Sequence, residues 1–154
     1  MCCKWKNLFY GGHIEWAPQS KVQEYDPNLN KWTRKADMPN PRSGFSLAVI
    51  NNKIYAIGGY GIPKAVDNII DVYDPSIDRW IGQIEIPNPR MWTGSSVFNN
   101  KIYTFGGTHF FNGMGWPPRD YLNLVEEFTP SDSQFSVSPQ DKLSSTWGSI
   151  KSVR

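Results

Sequence analysis

Tyr25-Asp26-Pro27-Asn28-Leu29-Asn30-Lys31-Trp32 returns 48 residues later as Tyr73-Asp74-Pro75-Ser76-Ile77-Asp78-Arg79-Trp80. Two further blocks return in the same register. Pro39-Asn40-Pro41-Arg42 recurs as Pro87-Asn88-Pro89-Arg90, and Asn51-Asn52-Lys53-Ile54-Tyr55-Ala56-Ile57-Gly58-Gly59 recurs as Asn99-Asn100-Lys101-Ile102-Tyr103-Thr104-Phe105-Gly106-Gly107. A period of about fifty residues, made of short β-type runs that end in Gly-Gly, is the pattern of propeller blades stacked side by side.

Within one period the physical reasons are visible. Phe45 to Ile50 and Lys53 to Ile57 are rich in β-branched and aromatic residues and meet at Asn51-Asn52, a pair that tolerates the positive φ of a tight hairpin turn. Both faces of these runs are apolar, as expected of a sheet sandwiched between two others. Gly58-Gly59 ends the second run where the backbone must bend. No Gly-x-Gly-x-x-Gly and no Gly-Lys-Ser/Thr accompanies it, so it is not read as a phosphate loop. Asn68 to Tyr73 is the third strand, Asp74 to Asp78 a turn, and Arg79 starts the outer strand. Trp32 and Trp80 are expected at equivalent, largely buried places, filling the wedge that opens between blades as they fan outward.

The order Pro-Arg, then Asn-Lys-Ile-Tyr-x-x-Gly-Gly, then Tyr-Asp-Pro with a Trp seven residues after the Tyr, resembles the kelch repeat and covers residues 7–137. The resemblance implies an all-β fold of blades with four antiparallel strands around an axis. It implies no single activity, because kelch proteins include scaffolds, substrate adaptors, sugar-processing enzymes and a copper oxidase. The reading divides the chain into a kelch-repeat array over 1–137, with blades at 1–42 (partial), 43–90 and 91–137, and a C-terminal tail over 138–154. Asn7 to Gly12 matches the Gly-Gly strand of a first blade. Val125 to Pro130 replaces Tyr-Asp-Pro in the third, with Phe135 in the Trp position. About two and a half to three blades result, and a ring needs at least about four, so the chain is not closed by its own residues. It is expected to be part of a longer reading frame or to self-associate.

Composition excludes several classes. Sixteen Lys and Arg against fourteen Asp and Glu leave a formal charge of +2 with no basic cluster, which gives neither nucleic acid nor an anionic membrane a footing. The two cysteines, Cys2 and Cys3, are adjacent and form no disulfide framework. Neither a signal peptide nor a membrane span is read, so a cytoplasmic location is the default, or a secreted one if an upstream portion is missing.

Candidate site residues fall into two groups. Seven extra residues follow Gly107 relative to the connection after Gly59, and this aromatic-rich insertion offers His109, Phe110, Trp116 and Arg119 as binding residues. Arg42 and Arg90, at equivalent places before the inner strands, would hold an anion if they ringed the axis, or would be structural if bonded to carbonyls or to an acid of the adjacent blade. His13 and His109 lack Cys or carboxylate companions at ligand spacing, so no metal is expected, and no cofactor either. The copper-oxidase branch needs a Tyr paired with a core Cys, which this chain lacks. The leading functional expectation is a non-catalytic module that binds protein, or a carbohydrate, through its loop faces. The alternative is part of a sugar-active kelch enzyme of epimerase or mutarotase type.

Overall fold

The computed structural model describes residues 7–14, 17–61, 68–108 and 121–130. In chain order the strands are β1 (Asn7–Tyr10), β2 (His13–Ile14), β3 (Ala17–Pro18), β4 (Val22–Asp26), β5 (Lys31–Lys35), β6 (Arg42–Ser43), β7 (Ser46–Ile50), β8 (Lys53–Ile57), β9 (Tyr60–Gly61), β10 (Ile69–Asp74), β11 (Arg79–Glu85), β12 (Gly94–Phe98), β13 (Lys101–Phe105) and β14 (Val125–Phe128). Three antiparallel sheets carry the repeat: β1-β4-β5, then the four-stranded β11-β10-β8-β7, then β12-β13-β14. Small pairs β2-β3 and β6-β9 trim the connections. The fold is all-β, its blades are of propeller type, and they do not close into a ring.

The hairpin turns follow from side-chain chemistry. Asn51 and Asn52 have φ of 50° and 57°, and Asn99 and Asn100 have φ of 47° and 58°. This is the two-residue turn whose twist matches that of the flanking strands. Register then repeats between sheets: Tyr73 faces Ile54 across β10 and β8, as Phe128 faces Ile102 across β14 and β13. The degenerate Val125 to Phe128 stretch is therefore a true third strand. A fourth strand around Phe135, and the tail, lie outside the described residues.

Burial is set by which face has a neighbour. Ala48, Ile50, Tyr55, Ile57, Ile70, Val72 and Ile84 of the middle sheet form one cluster with Ile102 and Phe128 of the third. The Tyr55 and Phe128 rings tilt against each other with centroids 6.2 Å apart. The opposite face of β7 departs from the two-sided apolar expectation, since Leu47 is 40% and Val49 54% exposed. The first sheet has no described strand inside β1 to lie over them. Trp32 is corrected for the same reason. Trp80 packs back on the first sheet, its Nε1 donating to the Ala36 carbonyl at 3.1 Å. Trp32, with no described sheet on its own side, is 49% exposed, its ring tilted by 38° against Tyr25 with centroids 4.9 Å apart.

All hairpin and β10–β11 turns point to one end of the sheets. The connections 36–45 and 86–93, with 58–61 and Gly107-Thr108, lie at the other end, which we call the loop end.

Candidate interaction surface

Arg42 and Arg90 organise the loop end from inside. Arg42 takes its backbone partner from the first blade, its N–H donating to the Gln19 carbonyl at 3.2 Å. Its guanidinium then runs into the middle blade, where it donates to the Gly58 carbonyl at 3.2 Å and pairs with Asp71 of β10. Gln83 Nε2 completes that carboxylate at 2.7 Å. Arg90 repeats the plan one blade on. Its carbonyl accepts from Gly59 N–H of the middle blade at 2.8 Å, while its guanidinium donates to Thr104 Oγ1 at 3.2 Å and pairs with Glu126 of β14. Asn88 Nδ2 donates to the second Glu126 oxygen at 2.6 Å. Each arginine is thus a clip, with its backbone on one blade and its charge neutralised in the next. Burial pushes the Arg90 guanidinium below its ordinary range, and Glu126 opposes that shift.

The expectation of an anion-holding ring is corrected by this geometry. Both arginines are 0% exposed and each faces a carboxylate, so neither presents charge to a ligand. The structural reading of the pair, with an acid of the adjacent blade, describes what is found. Glu126 and Glu127 divide as strand alternation requires: Glu126 turns inward to Arg90, and Glu127 turns outward to Lys101 and the Tyr103 hydroxyl. His109, Phe110, Trp116 and Arg119 lie outside the described residues.

Among the described residues, apolar side chains are exposed at the loop end beside charged ones such as Asp37 and Glu85. Trp92 is 44% and Tyr121 69% exposed, and Pro39, Pro41, Pro87 and Pro89 of the connections are exposed as well. Sequence reading passed over Trp92 because it falls between two conserved-looking blocks of the repeat. The signal was present in the alignment of the repeats, where Gly44 stands at the equivalent place. The opposite end also shows apolar side chains, with Leu29 71% and Ile77 55% exposed at the tips of equivalent turns. Among the described residues no group of three or more His, Cys, Asp or Glu could hold a metal ion, and no helix is long and apolar enough to cross a membrane.

Comparison with known proteins agrees with this architecture. The Kelch motif family model matches residues 41–81, which runs from the arginine clip through β11's Trp80. Kelch-like protein 15 of Danio rerio is 51% identical over 45 residues, 29% of this chain and 8% of that protein. Kelch-like protein 40 of Xenopus tropicalis is 35% identical over 57 residues, 37% of this chain and 9% of that protein. Kelch repeat and BTB domain-containing protein 12 of Homo sapiens is 40% identical over 42 residues, 27% of this chain and 7% of that protein. The matches span less than a tenth of the length of each of these relatives. With the repeated blades, the motif match and these likenesses in agreement, the chain is a kelch-repeat protein.

Proposed function

We propose that this chain is a non-catalytic interaction module that binds a protein partner through the loop end of its blades. The observation that carries the reading is made at the loop end: the repeat arginines and their acids neutralise one another in the interior, while Trp92, Tyr121 and Pro39, Pro41, Pro87 and Pro89 are exposed. A sugar epimerase or mutarotase needs an acid and a base converging on an enclosed substrate. Among the described residues, the ionisable groups nearest the inner strands at the loop end are those buried pairs. Likeness to kelch-like proteins supports an interaction role.

The test is partner capture with opposed variants. Tyr121→Arg and Pro89→Arg place charge on the loop end, and Leu29→Arg and Ile77→Arg place it on the turn end. Loss of the captured proteins in the first pair alone is the expected result. Loss in the second pair alone moves the site to the turns, and binding to a glycan array with no protein captured would replace the protein reading with a carbohydrate one.

A further inference from the structure

Among the described residues the first blade is one strand short where the middle blade is complete. The middle sheet has four strands in the order β11-β10-β8-β7, and the first has three, β1-β4-β5. β1 answers to β8, so the place of β7 is open and no described strand pairs with the inner edge of β1. An unpaired edge is a template for a further strand. The side chains beside it agree. Val49 of β7 faces this gap and is 54% exposed, whereas Val97, its equivalent on β12 with β7 packed before it, is 39% exposed.

The third blade is open on its outer face. Phe98 and Phe105 are exposed there, while Ile50 and Ile57, at the same places on the middle sheet, are buried beneath the third. Glu127 on that face takes Lys101 on one oxygen and the Tyr103 hydroxyl on the other, both from its own sheet. It can therefore be covered without losing a partner.

The sequence holds a strand that suits the gap. Trp92-Thr93-Gly94-Ser95 leads into β12, and the same four residue types return as Thr146-Trp147-Gly148-Ser149, with the first two exchanged. Gly94 follows Tyr73 by 21 residues, and Gly148 follows Phe128, the residue in the place of Tyr73, by 20. Residues 148–152 thus fall where the repeat calls for the inner strand of a fourth blade. A second copy set beyond the third blade brings to that position a first blade in which this strand's place is open.

We infer that two copies join head to tail by exchanging this strand. The first sheet of one copy covers Phe98 and Phe105 of the other, and residues 148–152 of the covered copy pair antiparallel with β1 of the covering one. Three repeat sheets in each copy make six in the pair, within the range of about four to eight at which propellers close. Exchange of an element between copies is a low-cost route to a dimer. The register follows from β12 on β13, where Gly94 meets Phe105 and Ser96 meets Tyr103. Tyr10 and Leu8 hold those places on β1, so Gly148 meets Tyr10 and Ile150 meets Leu8. Ile150 then turns toward Leu47 and Val49, and Lys151 turns to the other face. A slip of one residue would bury Lys151 instead. This association is independent of the loop-end partner proposed above.

Cysteine cross-linking in the full chain, with Cys2→Ser and Cys3→Ser, tests it. Leu8→Cys with Ile150→Cys is expected to give a covalent dimer under mild oxidation, because facing side chains of an antiparallel pair lie about 4.5–5.5 Å apart. Phe9→Cys with Ile150→Cys, one residue out of register and on opposite faces, should stay monomeric. Equal dimer yields from the two pairs, no dimer from either, or a disulfide closed within one chain would each overturn the proposal. Phe98→Lys with Phe105→Lys, added to the first pair, should cut the dimer yield by about tenfold or more, since the charges would be buried in an apolar contact. An unchanged yield would refute the covered face. A readout without cysteines is Ile150→Pro in the otherwise unaltered chain, which removes a backbone donor from the exchanged strand. Light scattering should move from dimer toward monomer while the far-ultraviolet signal of the blades stays as in the parent. A parent that is already monomeric, or a variant with the parent's mass, would rule out the exchange.

Discussion

At the scale of single residues, the glycine pairs differ in what they meet. An ideal Cβ at Gly58 would stand 2.2 Å from the Arg90 carbonyl oxygen, where φ is +64°. At Gly106, with φ of +58°, the nearest atom is the Leu122 carbonyl at 3.3 Å. Gly106→Ala should therefore lose only the left-handed penalty of about 1–2 kcal/mol. Gly58→Ala should lose several kcal/mol, because the blade interface itself must move. Urea midpoints of the two variants decide it, and equal losses would show that backbone conformation alone matters. The arginine clips give a second prediction. Arg90→Met leaves Glu126 charged and buried, and is expected to destabilise by about 3–5 kcal/mol. Arg90→Met with Glu126→Gln removes the orphaned charge and should recover part of that loss in the same denaturation measurement.

At the scale of elements, the turn between β10 and β11 holds the preceding blade. Asp78 accepts the Ala36 N–H at 2.9 Å and the Tyr73 hydroxyl at 2.6 Å. The Ala36 bond and then the Tyr73 bond lower the Asp78 pKa below its ordinary value. A carboxylate with a lowered folded-state pKa contributes stability that is present above the unfolded value and lost as pH falls through the folded one. The contact between first and middle blades should therefore hold at neutral pH and loosen as pH falls below the ordinary carboxylate range, about 4. Amide exchange at Ala36, corrected for the intrinsic rate, should quicken over that fall in the parent. Asp78→Asn should flatten this dependence, and a parent with no acid limb would count against the clip.

For the whole molecule the open faces matter most. Phe98 is 64% and Phe105 43% exposed on the outer face of the third sheet. Glu127 on that face corresponds to Glu24, which is 9% exposed near Lys35 where the first sheet meets the middle one. A Glu at this place is thus compatible with a covering blade. Each large apolar side chain left in water forgoes about 1.5–3 kcal/mol. The purified chain is expected to associate, and light scattering behind size exclusion should give a mass above 17.6 kDa. A monodisperse monomer with sharp cooperative unfolding would contradict this. Phe98→Lys with Phe105→Lys should shift the distribution toward monomer if this face mediates the contact.

Much of the fold was legible from the chain because the repeat is local chemistry used again. Asn-Asn pairs turn hairpins wherever they stand, paired glycines mark the bends, and the matching registers place Phe128 where Tyr73 sits one blade earlier. The pairing of each arginine with an acid of the next blade was also within reach, since both recur with the repeat. Exposure was not, because it depends on neighbours rather than on residue type. Trp32 and Trp80 share one sequence context, yet only Trp80 has a described blade behind it. Leu47 and Val49 read as core and lie open for the same reason. The left-handed turn at Trp92 also came only from the packed structure, where the ring lies against Gly44 and the hydrogen bond to the Gly44 carbonyl holds a conformation that tryptophan on its own disfavours.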